Sequence, residues 1–340
     1  MSRYVVELHR AFWRLGMDSR ILAGAHINRY LEQCPGVLGF RTRATRVPRR
    51  IRRCNELFNR IAAGGGVFHR TFHGSCFRPR CRIRATTVYD MIPELFAEAT
   101  QPVTRESLVK RRDCESADII CAISETTRKD LHRLWGLPLD RISVTPLGVT
   151  KVEPAPTDWV SRLGPFLLHV GRRGGYKNFL SLLSSAARIL PGSGVRILCF
   201  GGGAPEPEES QSIDRLGLHE TVCFVSGSDA DLAACYQQAL GHVTASLYEG
   251  FGLTPLEAMS HGCPVACSNR GSLPEVVGDA AHIFDPDDPD RQDEALRWLM
   301  EGRAAHCEMI DRGHLRCARF TWDDTARATL DAYNSALEGR

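Results

Sequence analysis

The stretch "LYEGFGLTPLEAM", residues 247–259, sets Glu249 and Glu257 on either side of a glycine turn that runs directly into an apolar tail. A loop would not need the tail, and a helix would not tolerate the glycines. The preceding "HVTAS" (242–246) reads as a strand. Gly250 and Gly252 then permit backbone conformations closed to other residues and let a ligand approach closely. Thr254 is placed to cap a helix, with Pro255 at its first position and Glu257 at its third, a T-x-x-E capping box. Gly262 and Pro264 end that helix. The segment is therefore strand, glycine turn, helix. Glu257 either reaches back to the cap amide or meets a ligand; Glu249 is either a solvated loop carboxylate or a ligand contact.

A second stretch repeats the arrangement. "HVGRRGGYKNF" (169–179) again runs strand, glycine turn, helix, and carries Arg172 and Lys177. Unpaired amides and the macrodipole draw anions to helix N-termini, and a nearby pair of cations would hold a diphosphate. The bland reading is a solvated basic loop. Two such turns in one domain make a nucleotide diphosphate the economical explanation.

Strand-like and helix-like segments alternate along the chain, the pattern of parallel sheets covered by helices. In the first half, strands are expected at 20–23, 66–70, 85–89, 118–124 and 142–146, with helices over 3–15, 48–62, 103–116 and 125–135. "TKVEPAPTDW" (150–159) reads as a linker, after which strands recur at 166–170, 195–201, 222–225, 242–246, 264–268 and 281–284. The expected fold is α/β: two doubly wound, Rossmann-like domains facing a cleft, because ligands bind at the carboxyl ends of such strands.

Composition agrees. At 340 residues the chain exceeds one ordinary core. A net charge of +3 is too small to suggest nucleic acid. No apolar run approaches the roughly 18 residues of a membrane span, and no signal-peptide pattern opens the chain, so a cytoplasmic location is expected. The 13 cysteines are odd in number and scattered, and read as reduced and mostly buried. Arginines outnumber lysines 39 to 4, which singles out each lysine.

With these residues in place, "G-R-x4-K-N" at 171–178 and "E-G-F-G-L-x-P-L-E-A-M-x-x-G-x-P-V" at 249–265 resemble the retaining nucleotide-sugar glycosyltransferases of family four, which have the GT-B fold. "GSLPEVVGDAAHIFDPDD" (271–288), "YDMIPELF" (89–96), "ADIICAISETTRKDL" (117–131) and "RFTWDDTA" (319–326) extend the resemblance over nearly the whole chain. It is strongest to the mannosyl- and rhamnosyltransferase-like enzymes of bacterial surface polysaccharide assembly.

The resemblance implies an acceptor-side domain over 1–149, a nucleotide-sugar-binding domain over 150–318, and a helix over 319–340 crossing back to the first domain. It implies that Arg172 and Lys177 bind the donor diphosphate, Glu257 the ribose, and Glu249 the transferred sugar. Gly171 lies beside them, and the backbone of Gly250, Phe251, Gly252, Leu253 and Thr254 would meet sugar hydroxyls and phosphate. Fixed cations and helix amides suit a leaving group that gains charge in the transition state. Retention by same-face attack requires no carboxylate nucleophile. The reaction expected is metal-independent, cofactor-free transfer of a sugar, such as mannose from GDP-mannose, to a glycan or lipid-linked acceptor. Rival readings are another GT-B enzyme, such as a sugar-nucleotide epimerase, or a non-catalytic nucleotide-sugar binder.

Two departures stand out. Where the family often has His-Asp, this chain has Tyr89-Asp90, an acceptor-side pair able to contact sugar but poor at carrying protons. The chain also opens with an amphipathic helix, Tyr4, Leu8, Ala11, Phe12 and Leu15 sharing a face, where a doubly wound domain should open with a strand. By the resemblance, Ser2, Arg3 and Tyr4 follow a glycine-rich loop after strand one. The first domain is therefore expected to lack that strand, through a misplaced start or a truncated reading frame.

Other features carry weaker expectations. "DPDDPD" (285–290) has metal-site spacing but reads as a capped surface loop. His69 and His73 either line the cleft or are structural. The seven arginines of 41–53 lie opposite an apolar face. That segment either packs on the first domain or touches an anionic membrane, peripherally on the inner face, or a lipid-linked acceptor.

Overall fold

The computed structural model describes residues 2–26, 28–32, 34–41, 66–73, 80–96, 104–155 and 158–339. The helix expected over 48–62, and the 41–53 arginine run after Arg41, lie outside the described residues. The chain divides into two compact units, residues 1–148 with 321–340, and residues 149–320.

In the first unit, β3 (Val67–Arg70), β4 (Ile83–Val88), β5 (Ile119–Ala122) and β6 (Ile142–Val144) form a parallel sheet in that order. A strand at 20–23 was expected to join such a sheet. Instead β1 (Ile21–His26) pairs in parallel with β2 (Val37–Arg41) in a separate two-stranded sheet. The second of these strands had no expectation behind it: Gly39 interrupts a five-residue run too short to show a period. The helix Ser2–Arg14 buries Tyr4, Leu8, Ala11 and Phe12, the anticipated face, and adds Val6 against Leu31 and Cys34.

The helix Trp322–Glu338 belongs to this first unit and packs on the Ser2–Arg14 helix and on β4, β5 and β6. Trp322, Ala326 and Tyr333 are buried, whereas Leu337, in the last turn, is exposed. Gly148 is required where the chain meets this helix, since a Cβ there would sit 2.5 Å from the Trp322 amide nitrogen. The Thr325 hydroxyl donates to the Pro146 carbonyl at 2.7 Å and fixes the same junction.

The second unit holds β7 (Phe166–Val170), β8 (Arg196–Phe200), β9 (Val222–Val225), β10 (Gly241–Thr244), β11 (Val265–Ser268) and β12 (His282–Phe284). All pair in parallel, in the order β12-β11-β10-β7-β8-β9. Covered on both faces, the central strands are almost wholly buried. Leu167, Ile197, Val243 and Ala266 pack with Phe179, Leu182 and Leu183 of the helix Phe179–Ile189 and with Leu296 and Leu299 of the helix Pro289–Met300. Strand order reverses between β7 and β10. That switch point is where such sheets open a crevice for ligands.

No described helix is long and apolar enough to cross a membrane. The described cysteines are free thiols, most of them buried, and burial pushes Cys121, Cys263 and Cys267 up to about 12.

Candidate active site

The two turns picked out in the sequence follow β7 and β10, the strands on either side of the switch point. They are joined directly: the Leu247 amide donates to the Tyr176 carbonyl at 2.7 Å. Lys177 Nζ donates to Glu249 Oε1 at 2.5 Å, and the Ser246 hydroxyl donates to the same oxygen at 2.7 Å. The ion pair is mostly sheltered, with side-chain exposures of 19% and 16%, so solvent screens it less than a surface pair. Lys177 also lies 5.2 Å from the centroid of the Tyr176 ring.

The backbone of Glu249 is pinned as firmly as its side chain. Its carbonyl accepts from the Ser272 amide at 3.1 Å and the Ser272 hydroxyl at 2.9 Å. Gly271 presses against it, and a Cβ there would fall 2.6 Å from the Glu249 nitrogen. Gly271–Ser272 thus supports Glu249 from a third turn, after β11. Sequence reading attached no site role to it.

The capping box is corrected. The helix runs Leu253–Ser260 with Gly252 at its cap, φ 106°, and no side chain bonds the free amides there. Thr254 lies inside the first turn. Only glycine adopts that conformation easily, and its open space is limited by Leu273 Cδ2, 2.9 Å from a would-be Cβ. The helix therefore begins earlier than a threonine cap would have it. Pro255 remains within the first turn, where a missing N–H costs nothing. Glu257, one turn in, is too far along to bond the cap. Its Oε2 accepts from the Tyr236 hydroxyl at 3.4 Å. Burial, and then the Glu257 carboxylate, hold the Tyr236 phenol well above its ordinary value.

Phe251 is buried, edge-on to Phe320 at 5.6 Å, so its side chain is core; Gly250 and Gly252 are buried beside it, and Leu253 and Thr254 are half-buried. Gly171, at φ 101°, turns the chain out of β7. Arg172 is exposed and Arg173 is buried. Asn178, at φ 55°, is the one non-glycine residue at positive φ among the described residues, and it reverses the chain directly after Lys177.

Beneath the turns, β7 and β10 carry His169 and His242, both missed in the sequence. Burial, and then Lys177, lower His169 to about 4; burial, and then His169, lower His242 to about 3. Both rings are neutral at pH 7. His242 donates from Nδ1 to the Leu168 carbonyl at 3.0 Å, across to β7. A histidine inside an apolar strand gives no sign of this in one dimension.

Tyr89 and Asp90 lie in the first unit. The Tyr89 hydroxyl donates to the Thr71 carbonyl at 2.9 Å, and its ring meets Tyr4 edge-on at 5.5 Å. Asp90 Oδ1 accepts the Ile92 amide at 3.1 Å, at the start of the helix Ile92–Leu95. His69 and His73 are both held by hydrogen bonds within the first unit. His69 bonds Thr87 Oγ1 at 2.7 Å and the Tyr333 hydroxyl at 2.5 Å, and burial lowers it to about 4. His73 bridges Asp113 Oδ2 at 3.1 Å and the Thr87 carbonyl at 2.9 Å.

Among the described residues no group of three His, Cys, Asp or Glu side chains is placed to hold a metal ion. In the 285–290 loop, Arg270 pairs with Asp285 and Asp287 at 2.8 and 2.6 Å, and Asp288 caps the next helix.

Residues 162–316 match the family model described as glycosyl transferases group 1. The O-antigen chain mannosyltransferase B of Escherichia coli is 29% identical over 279 residues, spanning 77% of this chain and 73% of that protein. Sucrose-phosphate synthase from Thermosynechococcus elongatus superposes with a TM-score of 0.73 at 21% identity, over 99% of this chain and 93% of that one. The Anabaena protein HepE, solved with UDP and glucose, gives 0.72 at 16% identity, over 98% and 95%. The fold is thus the GT-B type of these glycosyltransferases, built from two Rossmann-like units.

Proposed function

Because residues 162–316 match the family model described as glycosyl transferases group 1, we propose that this protein transfers a hexose from a nucleotide-diphosphate sugar to a glycan or lipid-linked acceptor, with retention and without a metal. GDP-mannose is the donor we favour, in keeping with the mannosyltransferase named among its relatives. The observation that carries this reading is the Lys177–Glu249 pair, held between two glycine turns at the sheet's switch point.

In this reading the donor diphosphate lies against Arg172, Lys177 and the backbone amides of 250–254. These charges and dipoles are fixed before the reaction, so they stabilise the developing diphosphate without reorganising. Glu249, held by Lys177, Ser246 and Ser272, accepts hydroxyls of the transferred sugar. Glu257 binds the ribose, with Tyr236 steadying its other face. Neutral His169 and His242 add no competing cation beneath the diphosphate. Retention then follows from acceptor attack on the face the diphosphate leaves, with a donor phosphate oxygen taking the acceptor proton.

The test is transfer by the full chain in excess EDTA, with GDP-mannose and a mannose-terminated acceptor. We expect undiminished formation of an α-linked product. Activity abolished by EDTA and restored by manganese would contradict the metal-independent reading, and a β-linked product would contradict retention.

A further inference from the structure

Arg172 and Arg173 are neighbours with opposite fates. We propose that Arg173 is a positioning residue that holds the exposed Arg172 in place for the donor diphosphate, an inference that rests on the function proposed above. Arg173 is 3% exposed. Its Nε donates to Glu209 Oε2 at 3.1 Å, Nη1 to the Gly201 carbonyl at 2.9 Å, and Nη2 to the carbonyls of Gly203 and Ala204 at 3.0 and 2.9 Å. The guanidinium also lies 4.7 Å from the centre of the Phe224 ring. One carboxylate and three carbonyl dipoles therefore compensate the buried charge, and they fasten the 201–204 loop to residue 173.

The same loop holds the other side of Arg172. A Cβ on Gly202 would fall 2.4 Å from the Gly171 carbonyl oxygen, so the loop lies directly on the Gly171 backbone. Gly202, at φ 76°, could not be another residue without strain. The Gly171 amide is bound in turn to the Phe200 carbonyl at 2.9 Å. Residues 171 and 173 are thus both anchored to the end of β8 and its loop, and Arg172 is the exposed residue between two fixed points. Glu209 extends the device, because its Oε2 also accepts the Glu206 amide at 2.9 Å at the start of the helix Pro207–Leu216. A lysine at 173 would keep the charge but lose the planar fork that reaches several acceptors together.

The test is a double-mutant cycle on the full chain, read as the affinity for GDP-mannose by calorimetry. Arg172→Ala and Arg173→Lys should each weaken binding by about tenfold, and the double variant should bind no more weakly than Arg172→Ala alone, because one acts through the other. Arg188→Ala, which removes the distant Arg188–Asp293 pair, should lower the melting temperature and leave affinity unchanged. Losses that multiply in the double variant would overturn the positioning role alone. Wild-type affinity in Arg172→Ala would overturn the assigned role of Arg172 and this proposal with it. Amide exchange over 171–175 and 201–205 reads the clamp without any ligand: faster exchange in Arg173→Lys supports it, and unchanged exchange overturns it. Should Arg173→Lys fail to fold, Arg173→Met with Glu209→Gln removes both charges together, so neither is left buried without its counter-charge, while the carbonyls of Gly201, Gly203 and Ala204 lose their donor.

Discussion

Glu257 shows how far a single residue can be read before its surroundings are known. Its spacing from Thr254 gave it a cap as an alternative role, and that alternative disappears because the helix begins at Leu253. Glu257→Gln keeps the shape and the contact with Tyr236 while removing the charge. We expect the donor KM to rise by about tenfold, the scale of one charged hydrogen bond, with the melting temperature unmoved. An unchanged KM would remove Glu257 from the donor site. Lys177 and Glu249 were legible because both sit in glycine turns between strand and helix, and because lysine is scarce here. Arg173 was not legible: an Arg-Arg doublet does not say which member turns inward, and the deciding partners, Gly201, Gly203, Ala204 and Glu209, lie 28 to 36 residues away.

At the level of elements, the order of strands and helices follows from the apolar runs and their punctuation, but helix starts do not. The helix expected over 125–135 is found at Glu125–Trp135, where Ser124 accepts the Thr127 amide and Gly136 takes φ 66°. At 252–254 glycine conformation overrode the threonine signal, because a positive φ is available to Gly252 and the neighbouring Leu273 leaves no room for a side chain. The two variants separate cleanly in denaturant unfolding. Thr254→Ala should change stability by less than about 0.5 kcal/mol, as for a residue that caps nothing. Gly252→Ala should cost about 1–3 kcal/mol, from strain at positive φ. A loss of about 1 kcal/mol in Thr254→Ala would restore the threonine cap.

For the whole molecule, three neutral histidines, His169 and His242 buried and His69 half-buried, couple folding to pH. His69 lies in the first unit, His169 and His242 in the second. Burial lowers each from an ordinary value of 6.5, to about 4, about 4 and about 3 respectively. The unfolded chain therefore takes up protons from pH 6.5 downward while the folded chain does not, so stability falls as pH drops from 6.5 towards 4 and is level above that range. Melting curves between pH 7.5 and 4.5 should show this fall, and His169→Phe should flatten it. A variant with the wild-type slope would contradict the neutral buried imidazole.

The second unit's sheet order and its paired turns make one site, and in the function proposed that site grips a nucleotide-sugar diphosphate. Calorimetric titration of the full chain with GDP-, UDP-, ADP- and dTDP-sugars tests it directly. One of the panel should bind with a Kd of about micromolar order, and Lys177→Ala should weaken that binding by about a hundredfold, since it removes a fixed cation and leaves Glu249 facing the anion. Equal affinity in wild type and Lys177→Ala, or no binding by any of the four, would contradict the account.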